Sequence, residues 1–446
     1  MSLKKLQASP QDDGVLAHVL AGLRSVVSGG DWRYIERMRV TALFRRLLGF
    51  EHTRVLGVEV VDDGIVVAVA PRWGRCRCSG CGRQGKAYDR RERTWRHLDL
   101  GGMKCELRYA PRRVACERCG VKVEAVPWAE ADSGFTRPFE DMVALMAQKT
   151  DRTTVAGLLR IAWASVGRII ERVTRRVGGD PVARLRGLRR IGVDELSYEK
   201  NHKYVTVVTD HDRGCAVWVA EGKDAAALDG FFDALGPEGI AALEVATLDM
   251  SGAFQKAFRE RAPDVELAFD RFHVQRLVHE ALDEVRRGLV KSAELPEEKA
   301  SLKKTRYTLQ RAPWKLDAVA RRKLEKLESD NHPLFQAYLM KESLVAIFDM
   351  ASPDDIHDHL TDWLRWVDEA GPAPFLKAAN TIASHFEGIC AYVQTGLTNA
   401  RAEGLNRKIR VVTSRAYGFK SAQSLMAMIM LCCGGIHLAW PHVPPI

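Results

Sequence analysis

The sequence predicts a multidomain protein built around an α/β domain, in which a long all-α segment interrupts a mixed five-stranded sheet with flanking helices. Three observations predict this fold class. Five short apolar runs of strand length lie between residues 188 and 269, with one helix-like stretch among them. A mostly helical and charged stretch follows, from residue 272 to about 392. A cysteine-rich basic head and a stretch with helical spacing precede the strands.

The composition limits the class of protein. The length of 446 residues fits about two to four domains. The chain has 67 Lys and Arg against 57 Asp and Glu, and a net charge of +10 favours a polyanionic partner, although a merely basic soluble protein is the alternative. The first ten residues lack the apolar core of a secretion signal, and the apolar run 425–433 is too short to span a membrane. We therefore expect a cytoplasmic protein without a membrane partner.

Two Cys-x-x-Cys pairs predict a zinc-binding, ribbon-like head over residues 46–127, after an N-terminal extension over 1–45. Four thiolates satisfy the tetrahedral preference of a structural Zn²⁺ site. Two strands around an Asp-Gly turn, within 55–70, and a strand-like run at 104–109 fit such a head. Ordinary buried thiols are the alternative, and we expect the remaining cysteines, Cys76 included, to be core residues. The four predicted zinc ligands are Cys78, Cys81, Cys116 and Cys119.

The head is also strongly basic. Residues 72–113 hold 13 Lys or Arg and only four acidic residues, with aromatic residues interleaved. Such a face can neutralise DNA phosphates and release their counterions, although a solvated basic surface has the same composition. The candidate DNA contacts are Arg91, Arg93, Arg96, Arg112 and Arg113.

A helix-turn-helix is predicted within residues 135–180, ending at the Gly-Gly-Asp-Pro run 178–181. Thr153 or Thr154 is expected to cap its first helix, and Arg160 stands at the turn, where Gly is usual. The predicted core between the two helices is Val155, Leu159, Ile161, Val166 and Ile169. The second helix would present to a DNA major groove the side chains Trp163, Ser165, Arg168, Arg172 and Arg175. A plain helical hairpin is the alternative.

Three carboxylates are candidate ligands for catalytic metal ions. Asp194 lies in an apolar strand, where an unpaired charge is costly and needs a partner or a metal. Asp249 ends another strand just before a helix, and Glu403 lies in a helical stretch near the C-terminus. Hard oxygen ligands suit Mg²⁺ or Mn²⁺, and two such ions can drive phosphodiester chemistry. Each Asp taken alone is more often a turn or cap residue, so the prediction depends on their combination.

At this point the sequence resembles the ISL-three family of bacterial insertion-sequence transposases, over roughly residues 45 to 437. The residues that carry the resemblance are the two cysteine pairs with 89–93 and 97–102 between them, and the segments 191–195, 270–273 and 398–406. The resemblance implies an RNase H-like catalytic domain with the triad Asp194, Asp249 and Glu403. It implies that 187–270 and 393–440 form this domain, with a helical insertion domain at 271–392. It also suggests that His273 helps to place the scissile phosphate or a flanking base, although a lone His at a helix start is often a cap or core residue.

The resemblance implies a metal-dependent enzyme that binds the terminal inverted repeats of its element in double-stranded DNA, cleaves there and transfers the strands to target DNA. Because two ends must be held together, we expect a homodimer or higher oligomer, associated with the nucleoid. The candidates to clamp phosphates beside Glu403 are Arg401, Arg407, Lys408 and Arg410, since positions 403 and 410 share a helix face. A catalytically silent DNA-binding regulator derived from a transposase is the alternative. A nuclease of RNase H-like fold acting on RNA or junctions is disfavoured by the DNA-binding head.

Overall fold

The computed structural model describes residues 40–199, 203–250, 252–269, 271–329, 333–395, 400–415, 419 and 421–439. Most of the predicted N-terminal extension and Asp270 lie outside these residues. The chain divides into two compact units, the first formed by Met1–Val173 with His437–Ile446 and the second by Thr174–Ile436. The boundary between the units therefore falls inside a helix rather than in the Gly-Gly-Asp-Pro run that ends it.

The first unit begins with two small sheets. Its elements are α1 (Val40–Leu48), β1 (Thr53–Val61), β2 (Gly64–Pro71), β3 (Lys86–Arg90), β4 (Arg93–Leu100), β5 (Met103–Tyr109), β6 (Arg112–Cys116) and β7 (Gly120–Val123). The four-stranded sheet has the order β1-β2-β5-β4, with only β2 and β5 parallel. The antiparallel sheet β3-β6-β7 carries the cysteine turns. The hairpin predicted around the Asp-Gly turn is confirmed by β1 and β2.

Trp128 connects residues 127–137, the segment that follows β7, to the core of the four-stranded sheet. Its side chain is fully buried and meets the rings of Trp95 and Tyr109 edge to face, each at 5.6 Å between centroids. Burying a large aromatic ring contributes on the order of 3 kcal/mol. The segment has no period of two or 3.6, so the sequence pattern does not reveal that it covers the open face of the four-stranded sheet.

Three helices follow in the order α2 (Arg137–Lys149), α3 (Arg152–Leu159) and α4 (Trp163–Val177). The chain bends by 103° between α3 and α4, which lies within the range of a helix-turn-helix. Of the predicted core residues, Val155, Val166 and Ile169 are buried, whereas Leu159 and Ile161 are only half-buried.

The residues on either side of α3 correct the predicted helix cap and explain why Arg, not Gly, can stand at the turn. Asp151, not Thr153 or Thr154, caps α3, because its carboxylate accepts hydrogen bonds from both threonine N–H groups at 2.9 and 3.0 Å. Arg160 adopts φ 55° and ψ 48°, the left-handed conformation that Gly usually supplies at such a turn. Its guanidinium pairs with Asp99 and donates to the Gly102 carbonyl at 3.1 Å, which holds this strained residue in place.

The second unit is built on a mixed five-stranded sheet. Its first elements are α5 (Pro181–Leu185), β8 (Arg190–Glu199), β9 (Lys203–Asp210), β10 (Cys215–Glu221), α6 (Ala226–Ala241), β11 (Val245–Leu248), α7 (Gly252–Arg261) and β12 (Glu266–Phe269). The strand order is β10-β9-β8-β11-β12, antiparallel from β10 to β8 and parallel from β8 to β12. All five strands expected from the apolar runs are present.

Helices make up most of the rest of this unit. They are α8 (Arg271–Ser292), α9 (Pro296–Lys303), α10 (Arg306–Gln310), α11 (Ala318–Ser329), α12 (Pro333–Ala346), α13 (Pro353–Ala370), α14 (Ala373–Ser384), α15 (Phe386–Gln394), α16 (Ala400–Arg415) and α17 (Ala422–Cys433), with short 3-10 turns at Pro313–Lys315 and Ile347–Asp349. Helix α15 packs on β12 so closely that a Cβ at Gly388 would lie 2.3 Å from the Phe269 ring. One continuous core joins the sheet to helices α6 to α15.

A search of the described helices finds no single one with the length and hydropathy to cross a membrane. The bent pair α3 and α4 meets the two criteria only when it is counted together.

Candidate metal centre, nucleic-acid interface and active site

The four predicted zinc ligands come together in the first unit. The sulfur atoms of Cys78, Cys81, Cys116 and Cys119 all lie within 4.8 Å of one another, and Cys81 and Cys116 approach to 3.5 Å. Four sulfurs bound to one Zn²⁺ at about 2.3 Å would be separated by roughly 3.8 Å. The donor set and its spacing therefore fit a tetrahedral zinc ion.

The local backbone supports this arrangement. The Gly80 N–H donates to the Cys78 sulfur at 3.3 Å, and a Cβ at Gly80 would lie 3.2 Å from the Cys119 sulfur, so a larger residue would crowd the cluster. Backbone N–H groups of Cys119 and Arg118 lower the pKa of the Cys116 thiol to about 7. The nearby Cys81 sulfur raises the pKa of Cys119 to about 12. Thiols this close cannot all ionise without a cation, which is what a bound zinc supplies.

Two of the five arginines predicted to contact DNA from the head have internal partners instead. Nη2 and Nε of Arg112 donate to Oε2 of Glu124 at 2.8 and 3.1 Å, Nε also donates to Oε1 at 3.3 Å, and the Glu124 carboxylate is fully buried. Burial raises the pKa of Glu124, but hydrogen bonds from Arg112 and Tyr109 outweigh this effect and keep the pKa below its ordinary value. Arg96 is nearly buried and donates to the carbonyl oxygens of His97 and Cys105 at 2.6 and 3.3 Å. Both guanidiniums therefore have partners inside the head, because a buried carboxylate or carbonyl attracts a guanidinium more strongly than solvent does, and their contact with DNA stays a prediction.

The other three arginines lie nearer the solvent. Arg91 is exposed. Arg93 is half-buried, with its guanidinium 5.4 Å from the centroid of the Trp95 ring. Arg113 is exposed and pairs with the exposed Asp89. An exposed pair of this kind is weak and can be exchanged for a phosphate.

The outward face of α4 is smaller than the sequence predicts. Trp163 and Arg168 are exposed and Ser165 is half-buried, as a groove-reading helix requires. Arg172, however, is only 18% exposed and pairs with Glu140 of α2 at 2.6 and 2.8 Å. Glu140 is 0% exposed, so it needs a counterion inside the protein. This partner is 32 residues away, so the sequence pattern did not reveal it, and the contact of Arg172 with DNA stays a prediction.

The candidate carboxylates of the second unit lie at one edge of its sheet. Thr247 of β11 pairs with Gly192 of β8 in parallel register. Asp249 and Asp194 each follow two residues further along these neighbouring strands, so they come at the same level and on the same side. The backbone N–H of Glu195 donates to Oδ1 of Asp194 at 2.8 Å. This contact fixes one oxygen of the carboxylate and leaves lone pairs for a metal ion.

Helix α16 reaches this edge through Asn406, a residue to which the sequence analysis gave no role. The Asn406 side-chain amide donates to Oδ2 of Asp194 at 2.8 Å, across 212 residues of sequence. Asp194, Asn406 and Arg410 line the same small pocket. Asn406 could have been found from the sequence by its position three residues after Glu403, which puts the two on the same helix face.

The structure describes the remaining predicted site residues only in part. Glu403 and Arg401 belong to α16, but their side chains lie outside the described residues. Arg407, Lys408 and Arg410 are exposed on that helix. Nδ1 of His273, in the first turn of α8, is buried and has no hydrogen-bond partner among the described residues. Among described side chains, the cysteine cluster is the one group of three or more His, Cys, Asp or Glu close enough to share a metal ion.

Comparisons with known proteins agree along most of the chain. A family model described as "Transposase" matches residues 191–429. One described as "Helix-turn-helix domain of transposase family ISL3" matches 124–174, and one described as "zinc-finger of transposase IS204/IS1001/IS1096/IS1165" matches 74–119. The transposase for insertion sequence element IS1557 of Mycobacterium tuberculosis is 36% identical over 430 residues, which cover 89% of this chain and 96% of the relative. The transposase for insertion sequence element IS1001 of Bordetella parapertussis is 24% identical over 352 residues, which cover 78% of this chain and 86% of the relative.

Proposed function

Because the chain belongs to the ISL3 family of insertion-sequence transposases, we propose that it cleaves the ends of its element and transfers them to target DNA with the triad Asp194, Asp249 and Glu403. Members of this family are DNA-cleaving and DNA-joining enzymes with a helix-turn-helix that binds DNA, a structural zinc and a divalent metal at the catalytic site. The hydrogen bond from Asn406 to Asp194 carries the proposal, since it ties the helix of Glu403 to the strand edge.

The catalytic domain in this proposal is RNase H-like. Its support is the strand order, in which three antiparallel strands continue into two parallel ones, with Asp194 on the central strand and Asp249 just after its parallel neighbour. The all-α segment leaves the sheet after β12 and ends before α16. We assign it as an insertion domain over 271–392, between catalytic segments 187–270 and 393–440. The zinc-binding domain at 46–127 and the helix-turn-helix at 135–180 precede them.

The chemistry follows from the residues at the edge. When bound, a pair of Mg²⁺ or Mn²⁺ ions activates the attacking oxygen and stabilises the leaving oxygen of a phosphodiester. Asp194 is held from both sides, by the Glu195 N–H and by Asn406, so its carboxylate needs no reorientation when it acts as a ligand. Arg410 presents an exposed guanidinium at the same pocket, where it would hold a DNA phosphate.

Further parts of the proposal concern the DNA. We assign the recognition of terminal inverted repeats to Trp163, Ser165 and Arg168 of α4, with Arg91, Arg93 and Arg113 of the head as backbone contacts. Arg401, Arg407 and Lys408 join Arg410 as phosphate contacts around Glu403. His273, whose Nδ1 is buried without a described partner, is available to orient the scissile phosphate. Two ends must be held together for transfer, so the active form is a homodimer or a higher oligomer.

Excision from a donor plasmid tests the proposed catalytic function. The element's flanking DNA is placed beside the gene, and the resealed donor site is amplified for wild type, Asp249→Asn and the matched control Asp264→Asn. Asp264 is an exposed acid before β12, at the opposite end of the parallel strands. We expect excision with wild type and Asp264→Asn but none with Asp249→Asn, while all three bind end DNA equally in metal-free buffer. End binding without excision by wild type would instead indicate a DNA-binding regulator.

A further inference from the structure

A second basic surface lies in the helical segment, far in sequence from the head and from the triad. Between residues 299 and 326 the chain has ten Lys or Arg and two acidic residues, Asp317 and Glu325. Lys303, Lys304 and Lys315 are exposed, and no described acidic group forms an ion pair with them. This excess of positive charge runs from the C-terminal end of α9 through α10 and the short turn to α11, whereas the first turn of α9 carries Glu297 and Glu298.

Two aromatic rings stand in the middle of this charge. Tyr307 is 72% exposed and Trp314 is 69% exposed, which makes them the most exposed aromatic residues among the large apolar side chains of the described chain. Large exposed aromatic rings are unfavourable in water and mark interaction sites. The Arg306 guanidinium lies 5.9 Å from the centroid of the Tyr307 ring, so charge and ring are adjacent.

The backbone beneath these rings is fixed by buried neighbours. Thr308 and Leu309 follow Tyr307 and are buried, and Leu316 lies two residues after Trp314 and is also buried. Helix α10 packs on α8 and on α11. The rings are therefore presented outward by a packed scaffold, and little backbone entropy is lost when they bind a partner.

We infer that Tyr307 and Trp314, with the surrounding Lys and Arg, form a binding surface for DNA with unpaired bases. Aromatic rings stack on bases whose faces are free, and cations beside them neutralise the backbone phosphates. In an intact duplex the base faces are already stacked, so a strand opened near a cleavage point is the DNA that this surface fits. The inference rests on DNA as the partner of this enzyme and not on the assignment of the triad.

The positive charge of this surface favours DNA over a second copy of this chain as the partner that binds there. In a symmetric dimer the same patch lies on both sides of the interface. Two patches with this excess of Lys and Arg would then repel each other. A polyanion gains from the same charges and also releases counterions.

Binding of labelled oligonucleotides tests the inference with the full-length protein in a chelating buffer, where no cleavage occurs. Fluorescence anisotropy compares a single strand and a duplex of the same unrelated sequence. The test variant is Tyr307→Ala/Trp314→Ala, and the matched control is Leu295→Ala/Val319→Ala, which truncates apolar side chains of similar exposure, 66% and 63%, beside and within the same patch. We expect the test variant to bind the single strand about tenfold or more weakly for each ring removed, with duplex binding and the control unchanged.

Two further measurements identify the groups that bind. Lys303→Glu/Lys304→Glu should make the dependence of log affinity on log salt shallower by about 0.7 for each single-strand phosphate that the variant no longer neutralises. A strand carrying 5-iodouracil should crosslink under ultraviolet light to Tyr307 or Trp314, as located by mass spectrometry. An unchanged single-strand affinity in the aromatic variant would overturn the inference. The inference would also be overturned if the aromatic variant lost self-association or binding to anionic lipid vesicles while its single-strand affinity stayed the same.

Discussion

The cysteine cluster and the carboxylate edge, which we propose as the catalytic metal site of this transposase, are assembled by the chain over very different distances. Each Cys-x-x-Cys pair comes from one turn, and Cys81 and Cys116 are 35 residues apart. Asp194 and its partner Asn406 are 212 residues apart, on a strand and on a helix of the same unit. The first site is closed by local turns, whereas the second depends on how distant elements pack.

This difference has a physical consequence for stability. A structural zinc ion contributes binding free energy directly to folding, because the unfolded head has no formed site. The carboxylates are carried by a sheet with its own continuous apolar core, so the fold of that unit does not require their metal ions. Loss of zinc should therefore unfold a region, and loss of the catalytic metal should remove only an activity.

The largest effect is expected from breaking the zinc cluster. Apparent zinc-binding free energies of small structural sites are about 10–16 kcal/mol, so Cys116→Ser should unfold the three-stranded sheet of the head. Hydrogen exchange read by mass spectrometry should show rapid exchange in β3, β6 and β7, with protection retained in β8, β11 and β12. Cys432→Ala, a buried thiol of α17, is the control and should keep one zinc per chain. Retained zinc and unchanged exchange in Cys116→Ser would contradict this picture.

An intermediate effect is expected when Arg172 of α4, which pairs with a buried carboxylate, is compared with Arg168, which we propose to contact DNA. Arg172→Met leaves Glu140 buried without its counterion, which should lower the free energy of unfolding by about 3–5 kcal/mol. Arg168→Met, one turn earlier and exposed, should leave stability unchanged and weaken binding to element ends. Chemical denaturation and end-DNA binding at fixed salt measure the two quantities for both variants. Equal stabilities would mean that the Arg172–Glu140 pair is dispensable, and that Arg172 is free to contact DNA.

Local signals in the sequence predicted much of this molecule. The cysteine pairs, the five strands and the placement of Asp194 in a strand and of Asp249 at a strand end all follow from short-range spacing. Partners distant in sequence could not be predicted in this way. Arg112 and Arg172 look like surface cations until Glu124 and Glu140, which are 12 and 32 residues away, are placed beside them.

Trp128 and Asn406 are residues whose roles local sequence patterns did not predict. Trp128 belongs to the core of a sheet although it lies in a segment without periodicity. Asn406 lies inside a motif that the resemblance identified, but only the fold brings its amide to Asp194. Residues whose roles depend on contacts outside their own segment need the tertiary structure to be recognised.

The smallest of these effects tests whether Asn406 orients the metal ligand. Asn406→Leu removes the donor to Oδ2 of Asp194 at similar volume, and removing such a supporting hydrogen bond weakens metal affinity by about 10- to 100-fold. Mn²⁺ binding followed by electron paramagnetic resonance on the DNA-free protein measures this affinity directly. Ser414→Ala, an exposed change on the same helix, should leave it unchanged. Excess Mn²⁺ should restore end cleavage to Asn406→Leu but not to Asp249→Asn, because only the second variant lacks a proposed ligand. If cleavage falls while Mn²⁺ affinity stays the same, Asn406 acts on the DNA and not through Asp194.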